Sequence, residues 1–151
     1  MNYSKFAVIG VGRFGASIAR RLAKKGAQVF AFDPNEEKIN NIKDDVAFAV
    51  TLDATDLRAL QSQNLEAMDA AVVAIGENFE ATILSCVHLM EIGVKRIIAR
   101  ASGEQQHLIL KKIGIHEILT PENEVADAVG EKLLNPNIIS FLSLPDDHEI
   151  A

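Results

Sequence analysis

Near its start the chain carries three glycines with the spacing Gly-x-Gly-x-x-Gly, and this spacing places the strongest constraint on the fold. Gly10, Gly12 and Gly15 directly follow the apolar segment Phe6–Ile9. In a turn from a strand into a helix, the first glycine permits the tight turn, the second lets the backbone approach a pyrophosphate, and the third permits close packing of the helix. The N-terminus of such a helix offers unpaired N–H groups to phosphates. The spacing therefore predicts a strand–helix unit whose turn binds a nucleotide, with a tight turn that binds nothing as the alternative.

Short apolar runs alternate with stretches of helical periodicity along the chain. The runs are Phe6–Ile9, Val29–Phe32, Ala47–Val50, Ala71–Ile75, Ile97–Ala99 and Ile115–Leu119. Nearly continuous apolar runs are typical of strands that are buried on both faces. The stretches between them are too long for hairpins, which favours parallel strands joined by helices. We therefore predict an α/β fold, a Rossmann-type doubly wound parallel sheet of six strands in the order 3-2-1-4-5-6, with a C-terminal crossover helix and arm.

Composition and charge exclude several classes of protein. The 151 residues suit one domain, and a hydrophobic content of 48% excludes a disordered chain. The net charge of −6 argues against a protein that binds nucleic-acid backbones. No apolar run of about 18 residues and no signal peptide are present, so we expect a cytosolic protein. The single cysteine, Cys86, fits a reducing compartment, and we expect it to pack in the core.

The end of the chain carries apolar residues that have no core of their own to fill. Val125, Val129 and Leu133 form a stripe at helical spacing, and Ile138–Leu144 is again mostly apolar. We therefore expect a nucleotide-binding domain over residues 1–134, followed by an arm and tail that contact another subunit.

The predicted fourth helix, Ala81–Ile92, is apolar on almost every side. A helix on one side of a single sheet should keep a polar face, so an apolar surface all round predicts burial on both sides. A second subunit is the favoured cover, and packing by the fifth helix is the alternative.

An acidic residue ends the second apolar run. Asp33 follows Gly15 at about the 20-residue spacing of the carboxylate that binds ribose hydroxyls in dinucleotide-binding folds. A carboxylate there would also repel a 2′-phosphate, which disfavours NADP. The alternative role of Asp33 is to form a turn before Pro34. Asn35 can cap the next helix, and it is counted with Asp33 among the candidate cofactor-binding residues.

Other candidates lie at the ends of later strands, where ligands of parallel α/β sheets bind. They are Asp53, Ala54, Ala74, Ile75, Gly76 and Arg100. For Asp53, contact with adenosine and a role as a helix N-cap are equally favoured. The backbone of the segment from Ala74 should border the phosphates. Arg100 is interpreted as a cation beside phosphates in preference to a surface arginine.

The glycine turn itself contains a cation. Arg13 lies between Gly12 and Phe14, and Val11 and Phe14 are the other two residues between the glycines. Its guanidinium could pair with the terminal phosphates of a nucleotide in its own or a neighbouring subunit, or it could extend into solvent.

Residues expected of an enzyme are missing. The histidines, His88, His107, His116 and His148, do not follow a strand beside a partner residue. The sequence shows no zinc-ligand spacing and no P-loop. We therefore predict a binding protein without catalytic residues. An NAD(H)-dependent oxidoreductase, or its cofactor-binding half, is the rival interpretation, and a scaffold with a vestigial site is a third.

Several segments together resemble the KTN/RCK (TrkA-N) domain family, and specifically the cytosolic regulatory subunits of Ktr/Trk-type potassium uptake systems. The resemblance rests on Phe6–Gly15, Phe32–Asp33, Asp53–Thr55, Val73–Gly76 and the ending of a helix followed by an arm. It implies a homodimer assembled into an octameric ring, which docks on the inner face of an integral membrane potassium-translocating subunit and gates it. It also implies bound ATP, ADP or NAD(H) as regulatory ligands.

The resemblance also assigns roles to single residues. It implies that the three glycines hold the phosphates, that Asp33 holds a ribose and that Asp53 lies by the adenosine. Arg13 would meet the terminal phosphates near the subunit interface. Glu122 would approach the nucleotide of the other subunit, where it is a candidate ligand of Mg²⁺ or Ca²⁺; the alternative is an acid favoured by the helix dipole. Family members usually add a small C-terminal domain, which we do not expect in this sequence.

Overall fold

The computed structural model of the protein describes residues 3–135. Its strands are β1 (Lys5–Ile9), β2 (Gln28–Asp33), β3 (Phe48–Thr51), β4 (Ala70–Val73), β5 (Ile97–Arg100) and β6 (Glu117–Leu119). Its α-helices are α1 (Arg13–Lys24), α2 (Glu36–Ile42), α3 (Leu57–Gln61), α4 (Phe79–Ile92), α5 (Glu104–Ile113) and α6 (Pro121–Leu134), and a single 3₁₀ turn covers Leu65–Ala67. Every strand pair is parallel, and the strand order is β3-β2-β1-β4-β5-β6. The predicted fold class and strand order are confirmed.

Two predicted strands are shorter than their apolar runs. The fourth strand ends at Val73, because the backbone of Ala74 and Ile75 passes over the glycine turn, close to Gly10. The sixth begins at Glu117, since the amide of Ile115 donates to the carbonyl oxygen of Leu110 at 3.0 Å and so closes the last turn of α5. Ala74 and Ile115 are buried in these connections, and Ile75 is partly buried.

The sheet has an apolar core on each face. On β1, Ala7 and Ile9 belong to one buried cluster and Val8 belongs to the other, as the alternation of side chains along a strand requires. The first cluster includes residues of α4 and α5, and the second includes residues of α1 and α2. Helices therefore cover both faces, and the carboxyl ends of all six parallel strands lie along one edge.

Helix α4 has one buried face and one exposed face. Thr82, Ser85, Cys86 and Leu89 are buried, whereas Leu84, Val87 and Met90 are exposed by 37%, 38% and 41%. The expected burial on both sides is therefore incomplete within one chain. The exposed apolar side chains form the surface for which a second subunit was predicted as the cover.

The chain divides into two compact units, one ending at Leu119 and the other beginning at Thr120. The first unit holds the whole sheet. The second unit contains α6, on which Val125, Val129 and Leu133 are all exposed. Of the predicted arm and tail at residues 135–151, all but Asn135 lie outside the described residues. Within residues 3–135, no helix is both long enough and apolar enough to cross a membrane.

Candidate functional site

The glycine turn between β1 and α1 has two glycines fixed by packing and one beside open space. Gly10 has a φ of +92°, and a Cβ there would lie 3.0 Å from the amide nitrogen of Ile75. A Cβ at Gly15 would clash with the carbonyl oxygen of Gly10. A Cβ at Gly12 would meet nothing nearer than Nζ of Lys38, at 4.0 Å. The turn has the arrangement predicted for it, with space left at the glycine expected to face a pyrophosphate.

The N-terminus of α1 is open to an anion. Gly12 is the N-cap, no side chain caps the helix, and its first turn contains no acidic residue. The first amides of a helix have no acceptor within the helix, and the helix dipole places partial positive charge there. The twelve-residue helix α1 therefore presents N–H donors beside the open space at Gly12.

Asp33 holds the glycine turn from the neighbouring strand. The residue is 6% exposed. Its Oδ2 accepts a hydrogen bond from the Val11 amide at 2.9 Å, and its Oδ1 accepts one from the Asn35 amide at 2.9 Å. The turn-forming role considered for Asp33 is therefore present in the structure. A carboxylate oxygen has two acceptor sites, so these bonds leave capacity for ribose hydroxyls.

The connection from β2 to α2 brings a lysine to the turn. Oδ1 of Asn35 accepts from the amide of Lys38 at 3.1 Å, which makes Asn35 the predicted N-cap of α2. The side chain of Lys38 then extends back toward Gly12. Sequence reasoning missed Lys38, although its position three residues after a capping Asn was the available signal.

Arg100, at the end of β5, is brought to the same turn. Its guanidinium carbon lies 5.0 Å from the centroid of the Phe14 ring, in a cation–π contact. Its Nη1 lies 3.8 Å from where a Cβ of Gly76 would be. The structure thus places Arg100, Phe14 and Gly76 together, as expected for residues around one crevice. Arg13 is the first residue of α1, and its side chain is exposed.

Asp53 forms a turn, and it does not cap a helix. Its Oδ1 accepts from Oγ1 of Thr55 at 2.7 Å and from the Thr55 amide at 3.0 Å, and these hydrogen bonds lower the pKa of the Asp53 carboxyl. The N-cap of α3 is Asp56, whose Oδ1 accepts from the amides of Arg58 and Ala59. The N-cap alternative for Asp53 is therefore wrong, because helix α3 begins later than the sequence suggested.

His88 connects α4 to the turn that contains Asp53. Its Nε2 lies 3.0 Å from the carbonyl oxygen of Thr55, and its Nδ1 is buried without a partner among residues 3–135. We assign the ring proton to Nε2, because a proton on Nδ1 would have no acceptor. Sequence reasoning assigned no partner to His88 and so missed this link to the Thr55 carbonyl. Ala54, which lies between Asp53 and Thr55 in the turn, is buried.

Glu122 lies in the second compact unit, in the first turn of α6. In the same turn, the side chain of Glu124 accepts a hydrogen bond from the Thr120 amide at 3.1 Å. Within the described part of the chain, no three His, Cys, Asp or Glu side chains are grouped so that they could hold a metal ion. A cation at Glu122 would therefore need ligands from elsewhere.

The sequence of the chain is similar to those of a known domain family and of several curated proteins. The sequence profile of the TrkA-N domain family matches residues 6–121. Among curated proteins, the chain is similar to the Ktr system potassium uptake protein C of Bacillus subtilis, with 37% identity over 97% of this chain and 66% of that protein. It is 35% identical, with the same coverage, to the Ktr system potassium uptake protein A of the same organism. The chain thus spans slightly less than two thirds of the length of these relatives.

Solved structures share the fold. The NAD(P)-binding domain of an exopolyphosphatase-related protein from Archaeoglobus fulgidus has a TM-score of 0.76 and 26% identity, over 88% of this chain and 98% of that one. The C-terminal domain of Shewanella denitrificans Kef in its AMP-bound form has a TM-score of 0.75 and 18% identity, over 89% and 82%. The GsuK channel bound to NAD has a TM-score of 0.68 and 14% identity, over 80% and 22%. Below 25% identity, the likeness shows the fold alone.

Proposed function

We propose that this chain, which belongs to the TrkA-N domain family, is the nucleotide-sensing part of a regulatory subunit that gates a membrane potassium transporter or channel. The observation that carries the proposal is the open N-terminus of α1, where Lys38 and Arg100 lie beside the glycine turn of a chain with net charge −6. Cations concentrated at one uncapped helix end of an acidic protein favour a phosphate-bearing ligand.

The proposed ligand is an adenine nucleotide, either ATP and ADP or NAD(H). Proteins of the same fold are recorded with NAD, AMP and ADP. All these molecules combine an adenosine with phosphates, which suits a carboxylate beside a phosphate-binding turn. The proposed contact residues are Gly10, Val11, Gly12, Arg13, Phe14, Gly15, Asp33, Asn35, Asp53, Ala54, Ala74, Ile75, Gly76, Arg100 and Glu122.

The proposed partners are further copies of this chain and an integral membrane subunit. The exposed apolar faces of α4 and α6 support contact between subunits, because burying such apolar surface in an interface stabilises the contact. Two curated relatives carry names of potassium uptake systems. We propose that the protein is cytoplasmic and forms a homodimer within an octameric ring on the inner face of the membrane. At a subunit interface, Glu122 would share Mg²⁺ or Ca²⁺ with nucleotide phosphates.

Gating requires that two ligands favour different states of the ring. A ligand shifts such an equilibrium only by its difference in affinity for the two states, which for coupled sites is typically about 1–3 kcal/mol. ATP differs from ADP in its terminal phosphate, and Arg13 is an exposed cation at the start of α1. We assign the discrimination between ATP and ADP to Arg13. In Arg13→Ala the ratio of the two affinities should fall toward one, and an unchanged ratio would remove this role.

Thermal unfolding with a panel of ligands tests the proposal. The panel contains ATP, ADP, AMP, NAD, NADH and NADPH, each with and without Mg²⁺ or Ca²⁺. At 100 times its Kd, a ligand that binds only the folded state adds about 2.7 kcal/mol of stability. Adenine nucleotides should raise the melting temperature, and NADPH should do so least because Asp33 repels its 2′-phosphate. If no member of the panel raised the melting temperature, the nucleotide-sensing function would be wrong.

An NAD(H)-dependent oxidoreductase is the second candidate, favoured by the similarity to an NAD(P)-binding domain at 26% identity. It accounts equally well for the glycine turn and Asp33. Oxidation of NADH in the presence of small carbonyl compounds would support it against the sensor.

A further inference from the structure

We propose that Lys38 binds the phosphate that is attached to the ribose, the α-phosphate shared by AMP, ADP and ATP. The inference rests on the proposed nucleotide binding and adds a residue that the sequence did not suggest. Nζ of Lys38 lies 4.0 Å from the Cβ position of Gly12. A phosphate seated at the N-terminus of α1 beside Gly12 would therefore lie within ion-pairing reach of Nζ.

A chain of hydrogen bonds fixes the position of Lys38 relative to the turn. The Val11 amide donates to Asp33, the Asn35 amide donates to the same carboxylate, and the Lys38 amide donates to Asn35 Oδ1. The backbone of Lys38 is thus tied to the residue before Gly12, and its side chain returns to Gly12 itself. These hydrogen bonds hold the backbone from which the Lys38 side chain extends, and Nζ lies near the turn.

The charge of Lys38 is available to a ligand. Lys38 is exposed and forms no ion pair with any residue between positions 3 and 135, although Glu36 and Glu37 precede it on the same helix. An ammonium group that lies beside uncapped helix N–H donors and forms no ion pair with a carboxylate suits a phosphate oxygen.

The direction from which Lys38 reaches the turn selects the α-phosphate. Lys38 and Asp33 both come from the end of β2 and the connection after it, so the group that Lys38 meets is next to the ribose proposed for Asp33. Arg100 comes from β5, which lies on the other side of β1 in the sheet. Lys38 should therefore contribute equally to nucleotides with one, two or three phosphates.

Titration calorimetry of the full chain with adenosine, AMP, ADP and ATP tests this assignment. Loss of a hydrogen bond between charged groups should weaken the binding of AMP, ADP and ATP to Lys38→Gln by a similar factor of about ten or more. Adenosine should bind both proteins alike, and Lys38→Arg should retain most of the affinity. Lys43→Gln is the matched control, because Lys43 is an exposed lysine at the opposite end of α2; it should bind as the wild type does.

Each other result overturns the assignment. Equal affinities of Lys38→Gln and wild type would show that Lys38 contributes nothing, and a loss confined to ATP would move Lys38 to the terminal phosphate. Tighter binding by Lys38→Gln would mean that Nζ obstructs the site. If the wild type bound AMP, ADP and ATP no better than adenosine, the proposed phosphate binding itself would be wrong. The titration of the wild type alone distinguishes this result from a failure of the Lys38 assignment.

Discussion

Oδ2 of Asp33 accepts a hydrogen bond from the amide of Val11 at 2.9 Å, so the last residue of β2 holds the glycine turn that follows β1. The same carboxylate accepts from the Asn35 amide through Oδ1. Asp33, which the sequence predicted to contact ribose, therefore also holds the turn in the protein without ligand. The two roles can be separated by experiment, since only the hydrogen bonds to the turn affect the stability of the ligand-free protein.

Replacing Asp33 by Asn should destabilise the ligand-free protein. Asn presents an NH₂ group to one of the two backbone N–H donors, which leaves a buried donor without an acceptor at a cost of about 1–3 kcal/mol. Urea unfolding without nucleotide measures this loss. Asp53→Asn is the control: Asp53 is exposed and its hydrogen-bonded oxygen, Oδ1, is retained as an amide oxygen, so its effect should be below about 0.5 kcal/mol. Unchanged stability of Asp33→Asn would mean that the carboxylate does not hold the turn.

Alanine at Gly15 should mainly lower the stability of the protein, whereas alanine at Gly12 should mainly lower its affinity for nucleotide. At Gly15 the new methyl group clashes with the Gly10 carbonyl oxygen, so Gly15→Ala should lose about 3 kcal/mol or more of stability. Gly12 has a φ of −70° and open space, so Gly12→Ala should lose less than about 1 kcal/mol. The methyl group at Gly12 would instead occupy space proposed for the pyrophosphate and weaken nucleotide binding. A Gly12→Ala protein with wild-type affinity would contradict the proposed ligand position.

Substitutions of His88 should report on its hydrogen bond to the Thr55 carbonyl. His88→Leu loses the Nε2 donor and should cost about 1 kcal/mol in urea unfolding, whereas His88→Gln can present an N–H donor at similar reach and should recover part of the loss. Exchange of the amides around Asp53 with deuterated solvent should speed up in the Leu variant and much less in the Gln variant. Equal behaviour of the two variants would assign His88 to packing alone.

The thiol of Cys86 should be unreactive in the folded protein. Burial raises the pKa of Cys86 from 9.0 to about 12, so very little reactive thiolate is present at pH 8. Labelling with a thiol reagent should therefore proceed only when the protein opens, and rapidly in denaturant. Because the folded pKa is the higher one, the free energy of unfolding should also decline as the pH rises from about 9 toward 12. Labelling of the native protein at the rate of a free cysteine would show that α4 is not packed as described.

The fold was predictable because its signals are local and repeated. Each apolar run and each glycine is recognised within a few residues, and the rule of right-handed crossovers then gives the strand order. The position of Asp33 at the end of β2 followed from the same spacing.

The finer parts of the site depend on which distant side chains meet. His88 and Thr55 are 33 positions apart, and no pattern in either segment of the sequence predicts their hydrogen bond. Lys38 could have been counted from the cap at Asn35, but only the return of its side chain to Gly12 reveals a place for it. Asp53 and Asp56 both suit an N-cap, and the choice between them depends on where the third connection leaves the sheet.

The place of β1 in the sheet has a consequence for how the chain folds. β1 is near the start of the chain, yet it lies between β2 and β4, and its Phe6 is paired with Ala70. One edge of β1 can be covered early by β2, whereas the other must wait until the chain has been made as far as β4. Pairing across such a long loop is slow compared with local contacts. That edge of β1 should therefore stay unpaired until β4 has been made and can pair with it.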